Sequence, residues 1–391
     1  MIRVLLFGNI YEDKWLGSFI RSIKQKSTEI EVDFFNVVTD TLPYPESAKL
    51  WANIHVVTPY FPAFCYKIPK LRGLSKILDI LISIRNLSKH VRATGKQYDI
   101  VHLSFLLGLY IFVVDEIRSM GKRLVLTPWG SDILRAKQKN LKRLAKLVEK
   151  ADYVSCGQNA PRFREDIIRL LKVPEYKFVS AGFGTEMIDH INAHKDLSKD
   201  VAKKHLGLEG RYVMVCAYNG NPCQQHLKII DSIAEIKQRL PENFILLFPM
   251  TYGGNEKYVR EVKGRLEENG LPYKILEDYL SNDELLYVRK CADLFIHAQT
   301  TDGNSGTVAE YLLCRTKVVN GAWLLYPQRE KYGVPFYKFQ SFDELGAVIL
   351  QAIADKTSII PDKLLEDISK DGWSHVGQQW VNFYNSCVTT D

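Results

Sequence analysis

The hydrophobic positions of this chain fall in short runs that alternate with segments of helical period, and the alternation occurs twice. Residues 3–7 are apolar and stop at Gly8-Asn9, after which Trp15, Phe19, Ile20 and Ile23 recur every three to four positions, predicting a strand, a loop and a helix. Further apolar runs stand at residues 32–38, 55–58, 100–104, 124–127, 153–155 and 178–180. The second round opens with a strand at 212–216. It continues with helix 225–238, strand 244–248, helix 258–269, strand 273–276, helix 282–290, strand 294–297, helix 307–314 and strand 317–319. Strand and helix in alternation predict an α/β fold of parallel sheets with helices on both faces. Residues 186–210 are polar and weakly periodic and are read as the linker. The expected division is a domain at 1–190, a second at 191–370, and a terminal amphipathic helix at 371–391. The aromatic face of that helix (Trp373, Trp380, Phe383, Tyr384) is expected to dock back toward the first domain.

Composition supports two cores. The chain has 391 residues, 46% of them hydrophobic, enough to fill two ordinary α/β domains. No apolar run reaches the roughly 20 residues that span a bilayer. The start turns acidic at Glu12 and Asp13, so it reads as a core strand and not as a secretory signal. Seven scattered cysteines without CxxC spacing argue against disulfides and a zinc site and for a cytoplasmic protein.

Charge changes the picture more. Residues 51–150 hold 18 Lys and Arg against 6 Asp and Glu, a net +12, whereas the other 291 residues sum to −5. Such a concentration suits nucleic acid, an anionic membrane face or a phosphorylated acceptor, or is a set of solvated helix faces. No helix-turn-helix, RNA-recognition or zinc module is recognisable, so no nucleic-acid partner is expected.

In parallel sheets, ligands bind at the loops beyond the carboxyl ends of the strands, and two such sheets facing each other make a cleft. The most informative loop is Asp302-Gly303-Asn304-Ser305-Gly306-Thr307-Val308-Ala309-Glu310. It follows a buried strand and leads into a helix, so its amides can meet an anion such as a pyrophosphate at the positive helix start. Asp302 and Glu310 can then flank one ligand. The alternative is a capped surface helix with an incidental carboxylate.

This acidic-x7-Glu pattern in a Gly-rich loop resembles the EX7E region of GT-B glycosyltransferases, especially the retaining family 4. The resemblance implies two Rossmann-like domains facing a central cleft. It gives Glu310 the donor ribose, Gly303, Asn304, Ser305, Gly306 and Thr307 the diphosphate and sugar, and Asp302 the transferred sugar, with a shorter reach than Glu. The segment Thr127-Pro128-Trp129-Gly130-Ser131-Asp132 resembles the family's HGSD motif, with Trp129 in the position of a His beside the donor sugar. That contact becomes apolar or stacking, while Gly130, Ser131 and Asp132 suit a tight loop with a helix cap. Asp99-Ile100-Val101-His102 resembles the family's DIVH strand, making His102 either an active-site residue or a buried structural one.

The loop Asn219-Gly220-Asn221-Pro222-Cys223-Gln224-Gln225-His226 lacks the Arg and Lys usual in family 4. With Phe248 to Gly253 it is similar to the GNSGD…NNH and VPMGY segments of the inverting transferases that add 4-acetamido-4,6-dideoxygalactose to lipid-linked enterobacterial common antigen. That similarity implies that Asn219, Gly220, Asn221, His226 and Tyr252 help hold the donor phosphates. No DxD-like carboxylate pair stands at a strand end, so transfer without a metal or other cofactor is expected.

The acceptor side is expected in the first domain. Residues 60–96 interleave Phe61, Phe64, Ile68, Leu71, Leu74 and Ile77 with Lys67, Lys70, Arg72 and Lys76. Such a stretch either lies on an anionic leaflet and receives a lipid-pyrophosphate-linked acceptor, or is a core-facing helix with solvated lysines. The leading expectation is a glycosyltransferase of bacterial surface-polysaccharide assembly. It would move a sugar from a nucleotide-diphosphate donor to a glycan or lipid-linked acceptor, in the cytoplasm or peripherally on the inner membrane face. An epimerase-type enzyme of the same twin-sheet architecture is the alternative.

Overall fold

Two all-parallel sheets carry the fold. The computed structural model describes residues 1–39, 42–157, 160–334 and 336–389. The first sheet contains β1 (Ile2–Gly8), β2 (Ile30–Asn36), β3 (Ile54–Val56), β4 (Tyr98–Ser104), β5 (Gly121–Thr127), β6 (Tyr153–Ser155) and β7 (Phe178–Val179), in the order β3-β2-β1-β4-β5-β6-β7. The second contains β8 (Tyr212–Cys216), β9 (Phe244–Pro249), β10 (Tyr273–Leu276), β11 (Leu294–His297), β12 (Lys317–Gly321) and β13 (Phe336–Phe339), in the order β10-β9-β8-β11-β12-β13. Both orders reverse direction beside the first strand of the round, between β1 and β4 and between β8 and β11.

Alternate residues of the central strands enter cores on opposite faces. Leu5, Phe7, Val101, Leu103, Leu124 and Leu126 join one; Val4, Leu6, Ile100 and Val125 join the other. In the second sheet Met214, Cys216, Leu294 and Ile296 face one core and Val213, Val215 and Phe295 the other. A strand covered on both faces has no polar side, which is why these segments read as continuous apolar runs.

The chain forms two compact units, one of Met1–Gly184 with Trp373–Asp391, the other of Thr185–Gly372. The last helix, Trp373–Thr389, therefore belongs with the first unit, where Trp373, Val376, Trp380 and Tyr384 enter the core with Phe19 and Ile23. The Trp380 indole N–H donates to the Gly182 carbonyl at 2.7 Å, and the Ser22 hydroxyl donates to the Trp373 carbonyl at 2.9 Å. A Cβ at Gly377 would run into Ser22 Oγ, so this close approach needs glycine. Residues 390 and 391 of the expected terminal segment lie outside the described residues.

Two expectations need correction. The stretch read as a linker holds helices Glu186–Ala193 and Lys199–His205, capped by Thr185 and Ser198, whose hydroxyls accept from Ile188 N and Val201 N. Ile188, Ala202 and Leu208 anchor them in the second unit's core. Each helix has about two turns, too few for its period to stand out. The strand β13 was not anticipated either; it is four residues long and sits at the sheet edge.

Candidate functional site

The second unit gathers most of the expected residues at the carboxyl ends of β8 and β11, where its strand order reverses, the position at which open α/β sheets form ligand crevices. The loop leaving β8 is shaped by its own side chains. Asn219 Oδ1 accepts from Asn221 N at 2.9 Å, and Asn221 Oδ1 accepts from Cys223 N at 3.0 Å. Both carbonyl oxygens are thus engaged, so any contact of these side chains with a phosphate must come from their NH2 groups. Gly220 N donates to the Tyr252 carbonyl at 2.7 Å, and a Cβ on Gly220 would stand 3.1 Å from Gly254. The loops after β8 and β9 therefore touch through glycines, with Tyr252 itself exposed. His226 opens helix His226–Ile236 fully buried, 3.3 Å from the Tyr258 hydroxyl, and burial pushes its pKa down to about 4. It is neutral at pH 7 and offers a phosphate no charge.

Gln299 ties this loop to the one leaving β11. Its Oε1 accepts from the Tyr218 hydroxyl and, at 3.1 Å, from Gln224 Nε2, while its Nε2 donates to the Thr301 carbonyl at 2.8 Å. Gln225 Nε2 donates to the Ala298 carbonyl at 2.7 Å, and Trp323 Nε1 donates to the Gln299 carbonyl at 2.8 Å. The loops after β8 and β11 are stitched by side-chain amides, and the loop after β12 joins them through the Trp323 indole.

Beyond this stitch runs the Gly-rich turn. Asp302 Oδ2 accepts from the Tyr326 hydroxyl at 2.6 Å, and Asn304 Oδ1 accepts from Gln328 Nε2 at 2.9 Å. Burial, with the Asp302 charge beside it, holds the Tyr326 hydroxyl well above its ordinary pKa, so it remains a donor. Ser305 caps helix Gly306–Leu313 by accepting from Val308 N at 3.2 Å, leaving the amides of the first turn directed out of the helix start. Gly306 sits so close to Thr185 that a Cβ would fall 2.9 Å from its methyl group.

Glu310 does not project into water; its side chain is 6% exposed. It turns back beneath the first turn, with Oε1 3.9 Å from where a Gly306 Cβ would be. Its Oε2 accepts from Arg289 Nε at 2.7 Å. Arg289 is equally buried, donates to the Tyr311 hydroxyl at 3.1 Å and lies over that ring at 4.7 Å. Burial opposes the guanidinium charge, but Tyr311 and Glu310 outweigh it and raise the Arg289 pKa. One carboxylate oxygen is therefore committed to an internal ion pair that the sequence reading did not include.

In the first unit, Gly130 adopts φ +104°, a conformation that favours glycine, and Asp132 closes the turn. Its carboxylate accepts from Trp129 N and Gly130 N at 3.0 Å each and from Leu106 N at 2.8 Å. Burial prevails over these bonds and pushes its pKa up to about 6. Trp129 is half-buried, donates through Nε1 to Ser104 Oγ at 2.9 Å, and packs edge-on against Phe183, Phe105 and Trp15. Trp129 is thus part of an apolar wall.

Both ring nitrogens of His102 are engaged inside the first unit, in keeping with the buried structural alternative. Nδ1 lies 2.7 Å from the Tyr384 hydroxyl, Nε2 lies 2.6 Å from Thr127 Oγ1, and the ring stacks on Trp380 at 5.0 Å. Desolvation lowers its pKa from 6.5 to about 3. The unfolded chain therefore binds the proton first. His102 contributes stability that is fully present above pH 6.5 and is lost as the pH falls toward 3. Replacing His102 with Gln should flatten the acid limb of a stability curve by up to about 1.4 kcal/mol per pH unit in that window. An unchanged slope would contradict the assignment.

Tyr218, Gln299, Trp323, Tyr326 and Arg289 were absent from the expected site. Tyr326 and Arg289 reach Asp302 and Glu310 across 24 and 21 positions, and Tyr218 and Trp323 reach Gln299 across 81 and 24, separations that no local pattern reports. Among the described residues no three His, Cys, Asp or Glu side chains gather as a metal site, and no helix is long and apolar enough to cross a membrane.

No protein-family model matches the chain, and no curated protein matches it by sequence. Solved structures do match over the whole length. HepE of Anabaena, determined with UDP and glucose, superposes at a TM-score of 0.67 with 17% identity, covering 99% of this chain and 100% of that one. Sucrose-phosphate synthase of Thermosynechococcus elongatus superposes at 0.72 with 14% identity over 100% of both chains. A glycosyltransferase of Rickettsia africae superposes at 0.71 with 11% identity over 100% of this chain and 99% of its own. By its two parallel sheets, their strand order and these superpositions, the chain has the twin Rossmann-like α/β fold of the GT-B glycosyltransferases.

Proposed function

We propose that this protein is a glycosyltransferase that takes a sugar from a nucleoside-diphosphate donor bound in its second unit. The observation that carries the reading is the turn Asp302 to Glu310: a serine-capped helix start beside interlocked strand-end loops, with a buried carboxylate beneath it. HepE binds UDP and glucose within the same fold, which supports a uridine-type donor here. The amides of Gly303 to Thr307, with Asn219, Gly220, Asn221 and Tyr252, face the diphosphate. Glu310 holds the ribose through the oxygen that Arg289 leaves to it, and Arg289 fixes its orientation. Asp302, oriented by Tyr326, meets the transferred sugar. His226 supports the β8 loop as a neutral group. Charge that gathers on the departing diphosphate is met by preorganised amides, and the transfer runs without a metal. The acceptor is a glycan or lipid-pyrophosphate-linked glycan of surface-polysaccharide assembly, served by the basic first unit.

A thermal-shift screen of nucleoside diphosphates and nucleotide sugars, run with EDTA present, tests the donor assignment. A ligand at 100 times its Kd stabilises the folded protein by about 2.7 kcal/mol. Asp302→Asn and Glu310→Gln, which keep side-chain volume, should weaken donor binding about tenfold or more, the scale of one lost hydrogen bond to a charged group. No shift with any nucleotide at millimolar concentration would remove the reading.

A further inference from the structure

We propose that residues 58–77 form a surface that docks on an anionic lipid bilayer. Helix Pro69–Thr94 becomes buried only from Ser75 onward; its first six residues, Pro69 to Leu74, are all exposed. The helix start and the segment before it present Tyr60, Phe64, Ile68, Leu71, Leu74 and Ile77 to solvent, between 38% and 59% exposed. Leu71, Leu74 and Ile77 recur every third residue, so each neighbours the next along the helix surface.

The display is held in place. Asp79, 0% exposed, accepts from Tyr60 N at 2.9 Å through one oxygen and from the Tyr66 hydroxyl at 2.6 Å through the other. Ser83 Oγ accepts from Thr58 N at 3.0 Å. A buried carboxylate is a costly way to shape a surface loop. Here it fixes the segment that carries Tyr60 and Phe64 against the helix that carries Leu71 and Leu74.

The charge on this segment has one sign. Within residues 58–77 the charged side chains are Lys67, Lys70, Arg72 and Lys76, and the carboxylate that follows, Asp79, is buried. Apolar side chains that enter the acyl boundary, aromatic rings at the headgroup level and flanking cations that reach lipid phosphates are the three parts of an interfacial anchor. The combination supplies the two signals, insertion and charge, that stable peripheral binding needs. The proposal stands apart from whatever the second unit does with a nucleotide.

Sedimentation of the full chain with vesicles tests it. Binding to phosphatidylcholine vesicles containing phosphatidylglycerol should exceed binding to pure phosphatidylcholine by about tenfold or more and weaken with salt. Replacing Phe64, Leu71 and Leu74 with Ser should reduce binding to the anionic vesicles about tenfold or more, with the melting temperature and nucleotide thermal shift unchanged. Equal binding by variant and wild type, equal binding to both vesicle types, or no binding to either would overturn the proposal. A vesicle result in its favour with no nucleotide shift would leave this surface standing and remove only the donor reading.

Discussion

Replacing Glu310 with Ala should destabilise the second unit by about 3–5 kcal/mol, the usual cost of removing one member of a buried ion pair. Arg289 is the reason. Its side chain is 3% exposed, and without Glu310 its remaining hydrogen bond among the described residues is to the Tyr311 hydroxyl. The guanidinium cannot shed its proton, so its charge would stay in a cavity that water does not reach. Glu310→Gln should lose less, because an amide oxygen can still accept from Arg289 Nε. Replacing both partners with apolar residues of similar volume should be closer to neutral than Glu310→Ala alone. Urea denaturation followed by circular dichroism checks the series. A loss below about 1 kcal/mol for Glu310→Ala would mean that Arg289 finds another partner. The alanine variant is thus a poor probe of the ribose contact, since lost donor binding and lost structure would coincide.

Trp380→Ala should cost the first unit about 3–5 kcal/mol, as expected for a large aromatic removed from a packed core. Trp380 is wholly buried. Its ring stacks on His102 at 5.0 Å, meets Phe19 edge-on at 5.4 Å and lies beside Tyr384 at 5.6 Å. Its N–H satisfies the Gly182 carbonyl, which the alanine variant would leave without that donor. Trp380→Phe should fall between wild type and Ala, because it restores much of the volume and not the hydrogen bond. The midpoint of chemical denaturation measures both, and an alanine variant within about 1 kcal/mol of wild type would show that the terminal helix is not part of this core.

What the amino-acid pattern discloses follows from how local each determinant is. The strands Tyr153–Ser155, Tyr212–Cys216, Tyr273–Leu276 and Leu294–His297 and the helix Asn282–Lys290 begin and end where the pattern predicts. In each, an apolar run or a capping residue marks the boundary within a few positions. The turn at Asp302 to Glu310 was legible for the same reason, since glycines, a Ser cap and a carboxylate one turn later lie in nine consecutive residues. The Arg289–Glu310 pair was not, because it joins two helices and an Arg near a helix end looks like any solvated cation. His102 shows the converse: its neighbours resemble a catalytic motif, yet Tyr384, 282 positions away, occupies one ring nitrogen. Residues 60–96 left two readings open, and the core-facing one describes the helix after its first turns. From Ser75 it faces the core, and before Ser75 it faces solvent.

The order in which the units become complete on the ribosome follows from the last helix. Thr185–Gly372 is made as one uninterrupted stretch, but the earlier unit lacks Trp373 to Thr389 until that whole stretch has been made. The half of the protein made first is therefore the half that closes last. Until that helix is made, Phe19 and Ile23 have no covering helix, and a chain cut short at Gly372 would lose part of the core of its amino-terminal half.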